Sequence, residues 1–548
     1  MASGPDLPRR RPALQAMVSA LAAALLAALG VSGPSVTAAP APPRPTFFIA
    51  GHGWGHGVGL AQYGAYGYAL HGWSYDQIVL HYYPGTALGE APFRRVRVLL
   101  LAAGKGVAIS SRSPFTVRDG AGKTYKLPAG PQRLGPGLRL KLAASTKKAL
   151  PGPLVFSPGE TALTLGGRSY RGTFRVTGGK SLRVVNAVGL EPYLWGVVPR
   201  EMPDRWPAEA LAAQAVVART YALTHLAKGS DFDVYADTRS QVYGGVAAES
   251  PPARDAVNST AGKVVLYKGE LAETFFFSSS GGRTANVEDV WGSKPLPYLV
   301  SVADPYDTLS PYHDWGPLRY NAALLGRRLG ARGTLRDVRA TAAPSGRVRT
   351  VTVVGSKGDR TITGEAVRRA LGLRSTWFTI GTLSLTQPSH PLRYGSEVQL
   401  GGFARGLPRV TLESRPYGGE WKPLATLRSR GGRVSATLSP KVTTDYRISS
   451  GSFRSGVVRL AVAPVVKISP SVDRTSVTGL AKPLLPGAVV HVQRRGAVGW
   501  TTIVKTTITS SGAFAASLDL TPGTYRARVV AGKGFAVGLS PVLTVVPA

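Results

Sequence analysis

Glu191 to Tyr221 reads EPYLWGVVPREMPDRWPAEALAAQAVVARTY, and the rest of the chain is organised around this stretch. Pro207 suits a first helical position, and Ala208 to Leu226 continues without Gly or Pro through mostly strong helix formers, which predicts a helix. Leu211, Ala215, Ala218 and Ala222 recur at helical steps and give it one flat, apolar side to set against a core. Arg219 falls among small residues that cannot shield its charge, so its guanidinium needs a carboxylate or a substrate oxygen. Just upstream, Glu201 stands in Arg-Glu-Met-Pro, where Pro203 disfavours a helical Met202, and a turn there aims the carboxylate outward. On local pattern alone, Glu191, Glu201 and Glu209 serve equally well as solvated carboxylates at a helix N-terminus.

The chain has 548 residues, room for three or four domains of about 100 to 200 residues each. Residues 1–40 read as an export signal and linker. Arg9, Arg10 and Arg11 precede an Ala/Leu-rich run to Gly30, and Val36-Thr37-Ala38 supplies a cleavage site. No later apolar run approaches the ~20 residues of a membrane span, so the mature chain is expected without a transmembrane segment, secreted to the cell wall. There is no cysteine, which excludes disulfides and thiolate zinc sites. Lys and Arg total 66 against 30 Asp and Glu, a net charge of +36 that attracts polyanions. Nucleic acid is the default partner for a cytosolic protein; for an exported one the polyanions at hand are anionic wall polymers and lipid head groups. An Arg-rich genome composition would give the same charge with no such partner.

After a Pro-rich linker, Gly51-His-Gly-Trp-Gly-His-Gly-Val-Gly59 alternates glycine with larger residues, so its backbone can take positive φ or admit another backbone closely. His52 and His56 are four apart, but the glycines argue against a helix and no acidic third ligand is near, so neither a metal nor a cofactor is expected. Such a loop suits contact with carbohydrate. Leu60 to Leu70 is predicted as a short helix, and Ser74 with Gln77 forms a capping box for a second one ending at Tyr83-Pro84. Short β-rich runs then fill Phe93 to Val188, among them Val96–Leu101, Thr161–Leu165, Thr173–Val176 and Leu182–Val185. Lys263–Tyr267 and Leu271–Phe277 are expected as a hairpin, with a strand over Arg347–Val354 and a helix over Gly364–Leu371. Beyond 380, Trp421, Tyr446 and Arg447 recur 79 positions later as Trp500, Tyr525 and Arg526, an internal repeat of two β modules without evident chemistry.

Several motifs taken together resemble the SpoIID/LytB family of wall-remodelling proteins. They are Glu191-Pro-Tyr-Leu, Glu201-Met-Pro, Glu209-Ala-Leu with Ala213-Gln-Ala, Ala218-Arg-Thr-Tyr, Gln241-Val-Tyr-Gly, Ser280-Gly-Gly, Leu373 to Thr376, and Gly53-Trp-Gly-His-Gly-Val-Gly continued by Leu60-Ala-Gln-Tyr-Gly. The resemblance covers residues 47–380. It implies an α+β SpoIID-like catalytic domain over 41–384, including the Gly/His/aromatic segment 47–90; the repeat beyond it is expected as two all-β immunoglobulin-like sandwich modules over 385–463 and 464–548. It further implies a lytic transglycosylase acting on peptidoglycan glycan strands, in sporulation relatives on strands stripped of stem peptides. Glu201 maps to the catalytic acid and Arg219 to the helix arginine, which is expected as a second catalytic residue. Trp54, His56, Gln62, Gln214, Tyr243, Ser280 and Gly281 are the expected substrate-binding residues. A single acid suffices if the muramic acid 6-hydroxyl attacks its own anomeric carbon, whereas a hydrolase needs a second carboxylate. The chain departs from the family pattern twice. Ala212 stands where a lysine is common, and the glycine-histidine segment, which usually closes the domain, comes first, so the order reads as circularly permuted. In a permuted chain Phe47–Ile49 must pair near Trp377–Ile380, and Gly51–Gly59 must line the cleft of Glu201. Some family members are amidase enhancers, so a non-catalytic wall-binding partner of an amidase is the alternative.

Overall fold

The structure, a computed structural model, describes residues 45–91, 94–142, 147–227, 230–386, 388–407, 409–532 and 534–547. The export signal expected over 1–40 lies outside the described residues. No helix among them is long and apolar enough to cross a membrane. The chain divides into two compact units, one of Arg44–Leu385 with Gly395–Arg459, the other containing Thr386–Tyr394 and Leu460–Ala548.

The larger unit is built on the helix Ala208–Thr224. The sequence predicts one apolar side, but every residue from Ala210 to Thr220 is buried. Between Ala210 and Thr220 the polar residues are Gln214, Arg219 and Thr220, and each is itself buried, so the helix turns no polar face to water there and other elements pack on all its sides. Its start differs from expectation by one position, since Pro207 is extended and forms the cap. The helices Gln62–Leu70, Tyr75–Tyr82, Leu190–Trp195 and Pro251–Ser259 surround it. The capping box of Ser74 and Gln77 is present.

Beside the helices runs a seven-stranded sheet in the order Val234–Tyr235, Arg95–Gly104, Leu182–Gly189, Thr173–Thr177, Leu154–Ser157, Phe115–Arg118, Thr124–Leu127. Its inward residues, such as Val96, Val98, Val184, Val188 and Phe174, join one apolar core with the central helix. The predicted hairpin is shorter than expected. Lys263–Tyr267 pairs with Glu270–Leu271, whereas Phe276–Phe277 leaves it to run parallel to Leu60–Ala61.

A second sheet has the order Asp314–Asn321, Thr46–His52, Phe378–Leu385, Val398–Arg405, Arg433–Leu438. Thr46–His52 pairs antiparallel with Phe378–Leu385 in a register that sets Ile49 against Ile380 and Phe47 against Thr382. This is the contact a permuted order of segments requires. Phe47, Ile49, Phe378 and Ile380 form a separate core with the helices Ala322–Leu329 and Gly364–Leu371.

The repeat has a common physical basis. Arg447 lies over the Trp421 ring at 4.1 Å and Arg526 over Trp500 at 4.2 Å. Tyr446 and Tyr525 are buried beside them. Each module thus carries one cation–π pair next to one buried tyrosine.

Candidate active site

Pro203 holds Met202 extended, at φ −125° and ψ 142°, so the helical turn Val198–Glu201 stops at Glu201. The expected turn is therefore the end of a short helix, and the carboxyl lies at its last residue, partly exposed. Burial pushes the Glu201 carboxyl above the ordinary carboxylate range, while hydrogen bonds from the Val242 N–H and the Gln62 amide and the charge of Arg200 pull it back. The Val242 N–H donates to Oε1 at 3.2 Å. Gln62 also donates through Nε2 to Gln214 Oε1 at 3.5 Å, so residues from three distant segments meet at one place. Gln214 is fully buried and its Nε2 has no partner of its own.

Arg219, 0% exposed, departs from the role expected of it. Nε and Nη2 donate to the two oxygens of Glu191 at 2.9 and 2.6 Å. Nη2 also donates to Val257 O at 3.1 Å, and Nη1 to Lys263 O at 3.0 Å and Thr260 Oγ1 at 3.5 Å. All five guanidinium protons are engaged, and none remains for a sugar. Its charge is met by Glu191, and the pair ties the central helix to Leu190–Trp195, to the end of Pro251–Ser259 and to the start of Lys263–Tyr267. Arg219 is a positioning residue in this arrangement.

His56 likewise has both nitrogens occupied by backbone. Nδ1 accepts from the Val58 N–H at 3.1 Å, and Nε2 bonds Phe276 O at 3.0 Å. Its ring packs against Phe277 and Trp291. Burial, then the nearby Arg347, push its pKa down to about 4, so it is neutral near pH 7. His52 instead bonds Asp314 at 2.6 Å, so the two histidines face different partners. Ser280 and Gly281 are buried, with Ser280 Oγ accepting from Gly282 N and the Gly281 N–H donating to Asp307. Tyr243 is buried and donates to Asn186 Oδ1 at 3.2 Å, and its ring lines a cavity of about 210 Å³ shared with Arg168, Arg200 and Val242. Trp54 is 40% exposed, and its backbone bridges Ser279. Of the expected residues, Glu201, Gln62 and Gln214 come together, Tyr243 borders them, and His56, Ser280 and Gly281 belong to the scaffold.

Sequence reasoning missed the surroundings of two aromatic residues in the same stretch. Burial raises the Tyr221 phenol, as do Glu273 and Glu201, so Tyr221 has both acids nearby. Glu273 Oε2 is buried without a hydrogen-bond partner. Trp206, five residues after Glu201, stacks on Tyr66 at 4.6 Å and 13° and meets Tyr63 at 5.0 Å. Tyr221 and Trp206 both lie inside the Glu191–Tyr221 stretch, where any aromatic reads first as core. Among the described residues no group of three or more His, Asp or Glu is placed to hold a metal ion.

Residues 178–267 match the family model described as stage II sporulation protein, SpoIID. This region belongs to the SpoIID/LytB family. Stage II sporulation protein D of Bacillus subtilis is 33% identical over 213 residues, 35% of this chain and 61% of that protein. The amidase enhancer of the same organism is 43% identical over 114 residues, 21% of this chain and 15% of that one. An uncharacterized protein of Brachyspira hyodysenteriae is 40% identical over 147 residues, 26% of this chain and 40% of it. The chain thus spans less than two thirds of the length of these relatives. The SpoIID match holds the Arg219–Glu191 tie, Glu201, Gln214 and Tyr243, while Gln62 reaches the same place from outside it.

Proposed function

We propose that this chain is an exported wall-remodelling enzyme that cleaves peptidoglycan glycan strands as a lytic transglycosylase, with Glu201 as its acid and base. The observation that carries the reading is a partly exposed carboxyl held above its ordinary pKa, with Gln62 beside it and Gln214 behind. A protonated Glu201 gives its proton to the glycosidic oxygen as that bond to the muramic acid anomeric carbon breaks. The carboxylate left behind takes the proton of the muramic acid 6-hydroxyl, whose oxygen closes onto the anomeric carbon. The product is a 1,6-anhydro ring, and Glu201 ends protonated, ready for another turn. No water and no second carboxylate is consumed. The net charge of +36 suits retention among anionic wall polymers.

The test is digestion of purified glycan strands and mass analysis of the new ends. Anhydromuramic ends from the parent chain, with a Glu201→Gln rate lower by about 100-fold or more, are expected. Reducing ends would instead indicate hydrolysis, for which Glu273 is the available second acid. The likeness to an amidase enhancer supports a second reading, binding to the wall and stimulation of an amidase without cleavage. It predicts that Glu201→Gln keeps both wall binding and stimulation.

A further inference from the structure

The two repeats match beyond the arginine that lies over a tryptophan. In the first, Val410–Pro416 pairs with Lys422–Leu427 on one side and with Thr444–Ser450 on the other. In the second, Val489–Gly496 pairs with Gly499–Thr507 and with Gly523–Val530. Even the irregularity recurs, with Leu424 skipped in the first register and Ile503 in the second. Positions facing one another in the two sheets therefore correspond, and where they differ the difference is chemical.

The arginines of the first sheet are neutralised. Glu413, opposite Arg447, takes both Arg447 and Arg454, and Asp445 takes Arg415 and Arg459. In the second sheet Gln493 stands opposite Arg526 and accepts from its Nε at 2.9 Å without cancelling its charge. Thr524, 79 positions after Asp445, replaces the other acid. The next row diverges further. Thr426, Thr411 and Ser449 lie side by side in the first sheet, whereas Lys505, His491 and Arg528 lie side by side in the second. Burial, then the charges of Arg528 and Lys505, push the His491 pKa down, so the repulsion within this row is uncompensated. Among the described residues no Lys or Arg beyond 464 pairs with a carboxylate, and the acids of this segment, Asp473 and Asp519, lie off these three strands.

The other side of the same strands carries Val490, Val492, Ala527 and Val529, all buried, so alternation turns the Lys505 row outward. Neighbouring strands lie about 4.8 Å apart, which spreads Lys505, His491 and Arg528 over about 10 Å of flat surface. Such a face has no walls for a small molecule and suits an extended chain with repeated negative charge. A phosphodiester stays ionised and presents oxygens in more than one direction, so an ammonium and a guanidinium on different strands can share it. Single-stranded nucleic acid is held by rings that stack on its bases, and Trp500, the ring on this face, is already covered by Arg526 at 4.2 Å. Val489, Val530 and Leu539 are exposed beside the row, which makes an anionic bilayer the rival partner.

We propose that the outward face of this sheet binds a linear phosphodiester polymer of the polyol-phosphate type, with Lys505, Arg528 and Arg526 holding its phosphates. The first module, whose corresponding arginines are already met by acids, does not bind it. The choice of polymer rests on the reading that the chain is exported to the wall, whereas the binding is independent of Glu201.

The experiment titrates the full chain, at low salt, with poly(glycerol phosphate), and exchanges residues of the second module for those of the first. Lys505→Thr with Arg528→Ser should weaken binding about tenfold. Gln493→Glu removes no cation but gives Arg526 the carboxylate that Arg447 has, and should weaken binding about threefold. Lys467→Thr with Lys482→Thr removes the same charge from another sheet and should leave affinity within about twofold of the parent. An equal loss in this last variant would reduce the effect to net charge, and parental affinity in the Lys505 and Arg528 variant would put the polymer elsewhere. Should that double variant fold poorly, Gln493→Glu decides alone, parental affinity again refuting the proposal. Tighter binding of duplex DNA, of phosphatidylglycerol vesicles or of polygalacturonate than of poly(glycerol phosphate) would give the face a different partner. Each of these results overturns the proposal. If the polymer binds as expected while the parent chain releases no anhydro ends from glycan, the transglycosylase reading fails and this face stands. If anhydro ends appear and the polymer ignores these substitutions, the reverse holds.

Discussion

Glu201 gains its chemistry from where a single helical turn stops. Pro203 forces Met202 out of the helix, and the carboxyl then sits half sheltered beside Val242 and Gln62. Its pKa lies above the ordinary 4.5, so the proton needed for cleavage is retained to higher pH than on an exposed glutamate. Strand cleavage should therefore fall as pH rises through that raised value, with the alkaline limb of the kcat/KM profile tracking Glu201. Stability gives a second check with the opposite outcome for the variant. A carboxyl with a raised folded-state pKa binds its proton more tightly when folded. Its contribution is fully present below the unfolded value and is lost as pH rises through the folded one. Glu201→Gln cannot ionise, so its Tm should exceed the parent's at pH 8 and match it near pH 4; a Tm gain of equal size at both values would contradict the assignment. Glu201, Gln62 and Gln214 were legible from motifs. The roles of Arg219 and His56 were not, because spacing shows that a polar side chain needs a partner and never where that partner is found. Glu191, 28 residues before Arg219, satisfies the arginine, and two backbone groups satisfy the histidine.

At the scale of elements, the central helix was legible because seventeen residues without Gly or Pro have few other options. Its complete burial was less so, since a stripe of Ala and Val reads alike whether one side or every side is covered. What fixes its neighbours is the Arg219–Glu191 pair, whose donors reach helix ends and a strand start at once. Lysine in that place offers three protons on a flexible stem in place of five on a rigid fork. Arg219→Lys should therefore leave carbonyls and a carboxylate oxygen buried without donors, and destabilise the larger unit by about 3 kcal/mol. Thermal unfolding measures this directly. A variant with parental Tm but no activity would return Arg219 to a direct role in the reaction. The repeat was legible as well, and its meaning followed from one contact, an arginine over a tryptophan in each module.

At the scale of the molecule, the sequence marks a break near 385, where turn residues and the repeat begin, yet the backbone continues its pairing beyond it. Phe378–Leu385 is hydrogen-bonded on one edge to Thr46–His52 and on the other to Val398–Arg405, in a register from Thr382 against Arg405 to Leu385 against Gly402. Arg405 reaches back across the sheet to Asp337, with Nη1 at 2.9 Å from Oδ2. Composition carries no trace of such pairing, because the residues of one strand do not show which strand continues this antiparallel sheet. Residues 395–459 thus complete the larger unit, although they share a repeat with the module that follows. Two truncations separate these meanings of the boundary. A chain ending at Arg459 should remain soluble with the larger unit folded and cleave soluble glycan at a rate within about twofold of the parent, a change of less than ~0.5 kcal/mol in the barrier. A chain ending at Leu385 should uncover the edge of Phe378–Leu385 and free Asp337 from Arg405, and so lose solubility and unfold at lower temperature. Equal Tm and equal solubility for the two truncations would show that the pairing beyond 385 is incidental to the fold.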